Sequence, residues 1–232
     1  MRELLLKYDI SIDAFQEKQF QQYMDILLEY NQKFNLTSIT EPNEIVIKHF
    51  CDSLLLLKNP DWQGVDKVVD LGTGAGFPGI PLKIICPQIE LLLVDASAKK
   101  VAFLNEVIEL LKLSNAQARQ MRAEEAGQNP QYRQKYDWVV TRALAPMPVL
   151  AEYCLPLIKI GGTLAAYKGP GWQAELTSAS EAIKLLGGRY QKTLEGELPE
   201  QQGQRAIVMI EKNRETPSKY PRRPGLPAKQ PL

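Results

Sequence analysis

Residues 70–79 read DLGTGAGFPG. The apolar, β-prone KVV before them and the helix-like PGIPLKII that follows make this stretch a strand, a glycine turn and a helix start. Two glycine spacings overlap in the turn. Gly74-x-Gly76-x-x-Gly79 fits the loop that cradles a dinucleotide pyrophosphate, with Asp95 at the end of the next apolar run to hold a ribose. Asp70-x-Gly72-x-Gly74-x-Gly76 fits a different loop. There an acidic residue precedes three alternating glycines, and the bare backbone approaches the amino-acid and ribose parts of S-adenosylmethionine (SAM).

Three features favour the SAM reading. Asp70 stands just before the first glycine, where a negative charge would repel a pyrophosphate. Pro78 removes a backbone donor at the helix start, where a pyrophosphate wants donors. Gly161-Gly162 in LIKIGGTLAAYKG then places a Gly-Gly turn ahead of the fifth strand, a habit of SAM-dependent enzymes. On this reading Asp70 receives the methionine ammonium and Asp95 the ribose hydroxyls. Ala123 and Glu124, at the end of the third strand, meet the adenine.

Working outward, residues 67–212 alternate strand-like and helix-like runs: KVVDLG, IELLLVDAS, QARQMRAEE, YDWVVTRAL, GGTLAAYKG and a closing pair, YQKTLEGEL and QRAIVMIEK. This predicts an α/β fold of the Rossmann-like, SAM-dependent methyltransferase class. It has a mainly parallel seven-stranded sheet, a C-terminal antiparallel hairpin and an N-terminal helical extension. The boundaries expected are 1–60 for the helical extension, 61–212 for the methyltransferase domain and 213–232 for a basic, Pro-rich tail. In the extension, Phe15, Tyr23, Ile26, Leu27, Tyr30 and Phe34 recur at helical spacing to form one apolar face. A second helix is expected from TEPNEI, capped by Thr40, to about Leu57. Ligands in such sheets bind at the carboxyl ends of the strands.

Composition narrows the function. The 232 residues are 44% hydrophobic and 24% charged, as in ordinary globular proteins. No run approaches membrane-spanning length. Cys51, Cys86 and Cys154 are few, scattered and odd in number, which suggests reduced thiols in a cytoplasm and no metal site. One histidine makes a zinc cluster or a Ser-His-Asp hydrolase a poor reading. Net charge is +1, but from Arg205 onward seven basic residues face two acidic ones, a net of +5, leaving −4 on the first 204 residues. A basic tail on a mildly acidic body points to a polyanion.

The methyl acceptor follows by elimination. Amine methylation of adenine goes with an Asn-Pro-Pro-aromatic turn after the fourth strand, where this chain has TRALAPM. Cytosine carbon-5 chemistry needs a cysteine nucleophile, typically after a proline, and none of the three follows one. A ring nitrogen such as guanine N7 has a lone pair and no proton to lose, so positioning and electrostatics suffice.

NLTSIT, HFCDSLLLL, DLGTGAGFPGIPLKI, VDASAKKVAFL, RAEE, TRALA, YKG and KYPRRPGLPAKQPL occur in this order. Together they resemble the RsmG (GidB) family of bacterial 16S rRNA guanine-N7 methyltransferases, from about residue 30 to the end. The resemblance implies a cytoplasmic, monomeric enzyme acting on one guanosine in the decoding-region loop of 16S rRNA, free or within the small ribosomal subunit. It puts cofactor contacts on Gly72, Phe77, Ala123, Glu124 and Arg142, and the second-strand acid on Asp95. Thr141 before Arg142, and Leu71 after Asp70, depart mildly from the family pattern.

Arg142, at the end of the fourth strand, is the candidate for positioning the acceptor, by a guanine edge or a phosphate. Its structural alternative is an ion pair with Asp70 or Glu124. Phe77 is read as stacking on cofactor or base, and His49 with Asp52 as packing over the cofactor mouth. Lys168, Arg222 and Arg223 are candidate RNA contacts, the last two held extended by flanking prolines and away from internal ion pairs. Two competing readings are an inactive SAM-fold RNA-binding assembly factor and a small-molecule methyltransferase. The intact Asp70, glycine turn and Asp95 weigh against the first, and the basic tail against the second.

Overall fold

The computed structural model describes residues 1–62 and 64–232. Helices α1 (Arg2–Leu6) and α2 (Ala14–Phe34) lead into a bent helical run. That run comprises α3 (Pro42–Ile45), a π-helical turn (Val46–Cys51), α4 (Asp52–Leu54) and a 3₁₀ turn (Leu55–Lys58). The α2 start is a capping box: the Asp13 side chain accepts the Gln16 N–H and the Gln16 side chain accepts the Asp13 N–H. Phe20, Tyr23, Ile26 and Leu27 are buried, but Phe15 is 65% exposed, one turn outside the apolar face assigned to it above. The next helix is capped by the Glu41 carboxylate, which takes the Glu44 N–H at 2.8 Å, and not by Thr40.

From there the chain alternates. β1 (Lys67–Leu71), α5 (Gly79–Ile85), β2 (Glu90–Asp95), α6 (Ala98–Leu110), β3 (Ala116–Gln120), α7 (Ala123–Gln128), β4 (Tyr136–Arg142) and α8 (Met147–Cys154) follow in order. β5 (Ile158–Lys168), α9 (Trp172–Ser178), α10 (Ser180–Leu185), β6 (Gly188–Glu197), β7 (Gln204–Lys212) and α11 (Leu226–Lys229) complete it. The seven strands lie in the order β3-β2-β1-β4-β5-β7-β6. β1 to β5 pair in parallel, and β7 enters antiparallel between β5 and β6. The order in which the strands are added reverses between β1 and β4, which opens a crevice at their carboxyl ends.

Strand alternation divides the buried residues between two cores. Val68, Leu91, Leu93, Trp138, Val140, Ala165, Ile207 and Met209 join α2 and the 42–58 run on one face. Val69, Leu71, Leu92, Val94, Val139, Leu164, Ala166, Val208 and Ile210 pack against α8 and α10 on the other. The same alternation points Asp70, Arg142, Tyr167 and Arg205 to the first face and Lys168 to the second.

The C-terminal residues lie against this second layer. Arg133 donates to the carbonyls of Tyr220 (2.7 Å) and Thr216 (2.8 Å), and Gln128 to that of Pro221 (2.7 Å). Arg222 overturns the expectation that prolines keep it free of internal pairs. Its guanidinium grips both oxygens of Glu152, at 2.9 and 2.6 Å, and its N–H donates to the same carboxylate at 2.8 Å. Glu152 is fully buried on α8, so the chain bends back to neutralise it. Arg223 stays exposed. Arg222→Ala is expected to strand that carboxylate and destabilise the fold by about 3 kcal/mol, while Arg223→Ala shifts stability by less than about 0.5 kcal/mol. Urea denaturation of both variants checks this, and equal midpoints would contradict it.

Candidate functional site

The glycine turn is built around one carboxylate. Asp70 is completely buried at the end of β1, and its Oδ2 accepts the Thr73 hydroxyl (2.7 Å) and the Gly79 N–H (2.8 Å). A Cβ on Gly79 would strike that oxygen at 2.8 Å, so glycine there permits the close approach. Oδ1 is buried with no donor. Burial raises the Asp70 pKa from 3.8 to about 7, against the lowering effect of its two donors and of Arg142. Gly76 has φ +101°, and a Cβ there would meet Ile80 and the Tyr23 hydroxyl. That hydroxyl donates to the Ala75 carbonyl, so α2 also braces the turn.

Asp95 closes the other side. Its Oδ2 accepts the Gly74 N–H at 3.0 Å and its Oδ1 the Ser97 N–H at 2.9 Å, with Lys100 Nζ 3.6 Å away. Two lone-pair positions remain for a ligand. Asp95 lines a cleft of about 260 Å³ with Gly72, Met121, Ala123 and Leu144 among its walls. Ala123 opens α7, three residues beyond Gln120, where β3 ends. Glu124 points elsewhere: its Oε1 accepts the Gly225 N–H at 2.7 Å, so the carboxylate holds the C-terminal segment.

Arg142 ends β4 and is tied to the bent helix. Its guanidinium donates to Asp52 Oδ2 (2.7 Å), the Lys48 carbonyl (3.1 Å) and His49 Nδ1 (3.0 Å). Its carboxylate partner is therefore Asp52, neither Asp70 nor Glu124. His49 Nδ1 must accept from Arg142, so Nε2 carries the proton toward Thr37 Oγ1, 2.8 Å away. Burial, and secondarily Arg142, lower the His49 pKa from 6.5 to about 3. Phe77 lies beneath this group, 5% exposed, stacked on His49 with centroids 4.4 Å apart and under the Arg142 guanidinium at 5.0 Å. Tyr23 and Phe50 flank it. The ring expected to stack on cofactor or base is thus occupied from within the protein.

Lys48, His49, Asp52 and Arg142 line a larger cavity of about 600 Å³ with Tyr167 and Arg205. It meets the Asp95 cleft at Ala143 and Leu144, which line both. Lys168 also borders it, but its ammonium is held by Glu175 (2.7 Å) and the Ala145 carbonyl (2.9 Å). That is what its place on the opposite strand face dictates. Three members escaped the sequence reading: Thr37, Tyr167, whose hydroxyl donates to the Ser53 carbonyl at 2.7 Å, and Arg205, whose Nε lies 3.2 Å from Asp52 Oδ1. Arg205 carried a signal, since alternation from Ile207 and Met209 puts it on the face of Arg142. No group of three or more His, Cys, Asp or Glu placed to hold a metal occurs among the described residues. Nor is any helix among them long and apolar enough to cross a membrane.

The strand order and the acidic glycine turn define a SAM-dependent methyltransferase. Solved structures share this architecture, including a Klebsiella pneumoniae protein provisionally assigned as an O-methyltransferase. It is 15% identical, covers 92% of this chain and 96% of its own, and has a TM-score of 0.59. Residues 16–206 match the family of rRNA small subunit methyltransferase G, and the chain belongs to that family. Ribosomal RNA small subunit methyltransferase G of Lactobacillus johnsonii is 46% identical over 98% of this chain and 96% of its own length. The protein of the same name from Pelotomaculum thermopropionicum is 47% identical over 96% and 93%.

A His49 held neutral and locked between Thr37 and Arg142 positions the guanidinium and takes up no proton. Its depressed pKa stabilises the fold above about pH 6.5, and that contribution fades as the pH falls toward 3. His49→Ala is expected to slow methylation by releasing Arg142, leaving the pH–rate profile between about pH 6 and 9 unchanged in shape. An inflection near the ordinary histidine pKa that vanishes in the variant would show a proton-transfer role instead.

Proposed function

We propose that this chain transfers the methyl group of SAM to the ring N7 of a guanosine in 16S rRNA. The observation that carries the reading is the junction at Ala143 and Leu144. There a cleft built on an acidic glycine turn shares a wall with a larger cavity under Arg142. When bound, SAM supplies an electrophilic methyl group on a sulfonium.

The residues fit that ligand. The free buried oxygen of Asp70 accepts the ammonium, and the spare lone pairs of Asp95 accept the ribose hydroxyls. The main chain at Gly72, Gly74 and Gly76 lies along the amino-acid part, and Ala123 flanks the adenine. Arg142, held by three partners, presents a fixed guanidinium to the acceptor base or its phosphate. No side chain is needed as a base, because N7 attacks with a free lone pair; a histidine that stays neutral suits this chemistry. Phe77 acts at one remove, by supporting His49 and Arg142.

RNA contacts gather around the larger cavity and the exposed Arg223, since Arg222 and Lys168 are engaged by Glu152 and Glu175. One chain supplies every group in this arrangement, and we take the enzyme to act as a monomer in the cytoplasm. Its substrate is the rRNA, free or in the small subunit.

Mass-spectrometric mapping of 16S rRNA from cells lacking the protein is expected to show one guanosine without its N7 methyl, restored by adding the purified chain and SAM. Methylation at another atom would refute the acceptor. Asp70 supplies a second test. Its folded pKa lies above the unfolded value, so the protonated form persists up to about pH 7, and the ammonium-binding carboxylate appears only as the pH rises through that value. SAM affinity measured by calorimetry should climb up to about tenfold per pH unit between roughly pH 5.5 and 7, and Asp70→Asn should weaken binding and flatten the climb.

A further inference from the structure

Beyond β5 the chain runs through Gly169, Pro170 and Gly171 to α9, a helix that buries none of its residues. The segment is fastened at Glu175, whose Oε2 accepts from Lys168 (2.7 Å) and from the Met147 N–H (3.0 Å). At its start stands Trp172, whose indole N–H donates to Glu195 at 3.1 Å. Trp62 and Trp138 are 6% and 5% exposed, deep in the core, whereas Trp172 is only partly buried. It lines a cavity of about 340 Å³, with Gln173, Gln204 and Arg205 on the other walls. This cavity and the one beneath Arg142 share two residues, Gly169 and Arg205.

We propose that the second cavity binds the nucleotide adjacent to the acceptor in a single-stranded RNA, with Trp172 as its stacking platform and Arg205 on the phosphodiester that joins the two nucleotides. The proposal rests on the RNA methyltransferase reading and adds a subsite to it. An acceptor base must leave its stack to reach a buried methyl donor, and its neighbour then loses a stacking partner. Single-stranded RNA is held by aromatic surfaces and arginines in just such a case.

The placement supplies both. A backbone running from one cavity to the other must cross the residues they share. Gly169 offers no side chain there, with nothing within 4 Å of its Cβ position. Arg205 offers a guanidinium. Arg142 and Arg205 share the single carboxylate of Asp52, at 2.7 and 3.2 Å, so one positive charge in the cluster is left for a phosphate. The hydrogen bond to Glu195 fixes the edge of the indole, which rests partly on the core and lines the cavity with what remains uncovered. A protein segment would have no need of a cation midway between the cavities.

The test uses the full-length protein with S-adenosylhomocysteine and a five-nucleotide single-stranded RNA with a central guanosine. Since the other two tryptophans are buried, RNA stacking should quench the Trp172 emission of the wild type and leave that of Trp172→Phe unchanged. Trp172→Ala should bind the pentamer on the order of 10-fold more weakly and raise the KM for RNA to match, with SAM affinity unaltered. Arg205→Ala should flatten the salt dependence of pentamer binding by about one phosphate's worth, and Arg205→Lys should recover it. Circular dichroism checks folding; α9 holds no fully buried residue and Trp172 touches only the edge of the core, so Trp172→Ala should keep the wild-type spectrum. Absent quenching, or wild-type pentamer affinity in Trp172→Ala, would overturn the subsite. Loss of affinity only for the assembled small subunit would overturn it in favour of a protein partner. Failure of the wild type to methylate small-subunit RNA would sink the underlying function whatever Trp172 does.

Discussion

The guanidinium of Arg142 joins two layers that the sequence keeps ninety residues apart. It caps the central strand on one side and takes hold of a single turn of the bent helix on the other, through a carbonyl, an imidazole and a carboxylate. The Asp52 carboxylate it holds is buried, and desolvation makes losing the guanidinium costly. The π-helical turn Val46–Cys51 brings Lys48 and His49 to it, consistent with the frequency of such turns at working sites. Once the turn is held, Phe77 packs beneath it and the glycine loop inherits a rigid roof. The N-terminal helices are therefore a wall of the site, and one core runs continuously from α2 into the sheet.

Two buried acids divide the chemistry of the loop. Asp70 spends one oxygen on shaping the turn and keeps the other dry and unpaired. Asp95 spends one lone pair of each oxygen on the main chain and faces the cleft with the rest.

Much of this was legible beforehand because strands and glycine turns leave local signatures. The seven strands, the turn and the roles open to Asp70 and Asp95 follow from alternation and from an acid placed before three glycines. What was not legible depends on partners distant in sequence. That Arg142 chooses Asp52, that Glu124 turns its carboxylate to Gly225, and that Arg222 folds onto Glu152 are outcomes of tertiary proximity. The tail misled for a specific reason: prolines suggest an extended chain, but an extended chain can still be bound along its length. Lys168 was legible in principle, since counting by two from Ala166 puts it on the face away from Arg142.

The clasp between Arg222 and Glu152 also sets an order of events. Glu152 leaves the ribosome some seventy residues before the guanidinium of Arg222 that neutralises it. Until then, α8 carries a charge that opposes its burial, and the layer flanking Ala123 and Glu124 lacks the strap at Gly225 that secures it. The strands and the glycine loop take no hydrogen bond from Arg222 or Gly225, so they can form before that clasp closes. The wall that carries Ala123 is fastened only once Gly225 has reached Glu124. A chain stopping before Arg222 would thus hold a formed turn beside an unfastened wall, so the turn takes its shape before the cleft does.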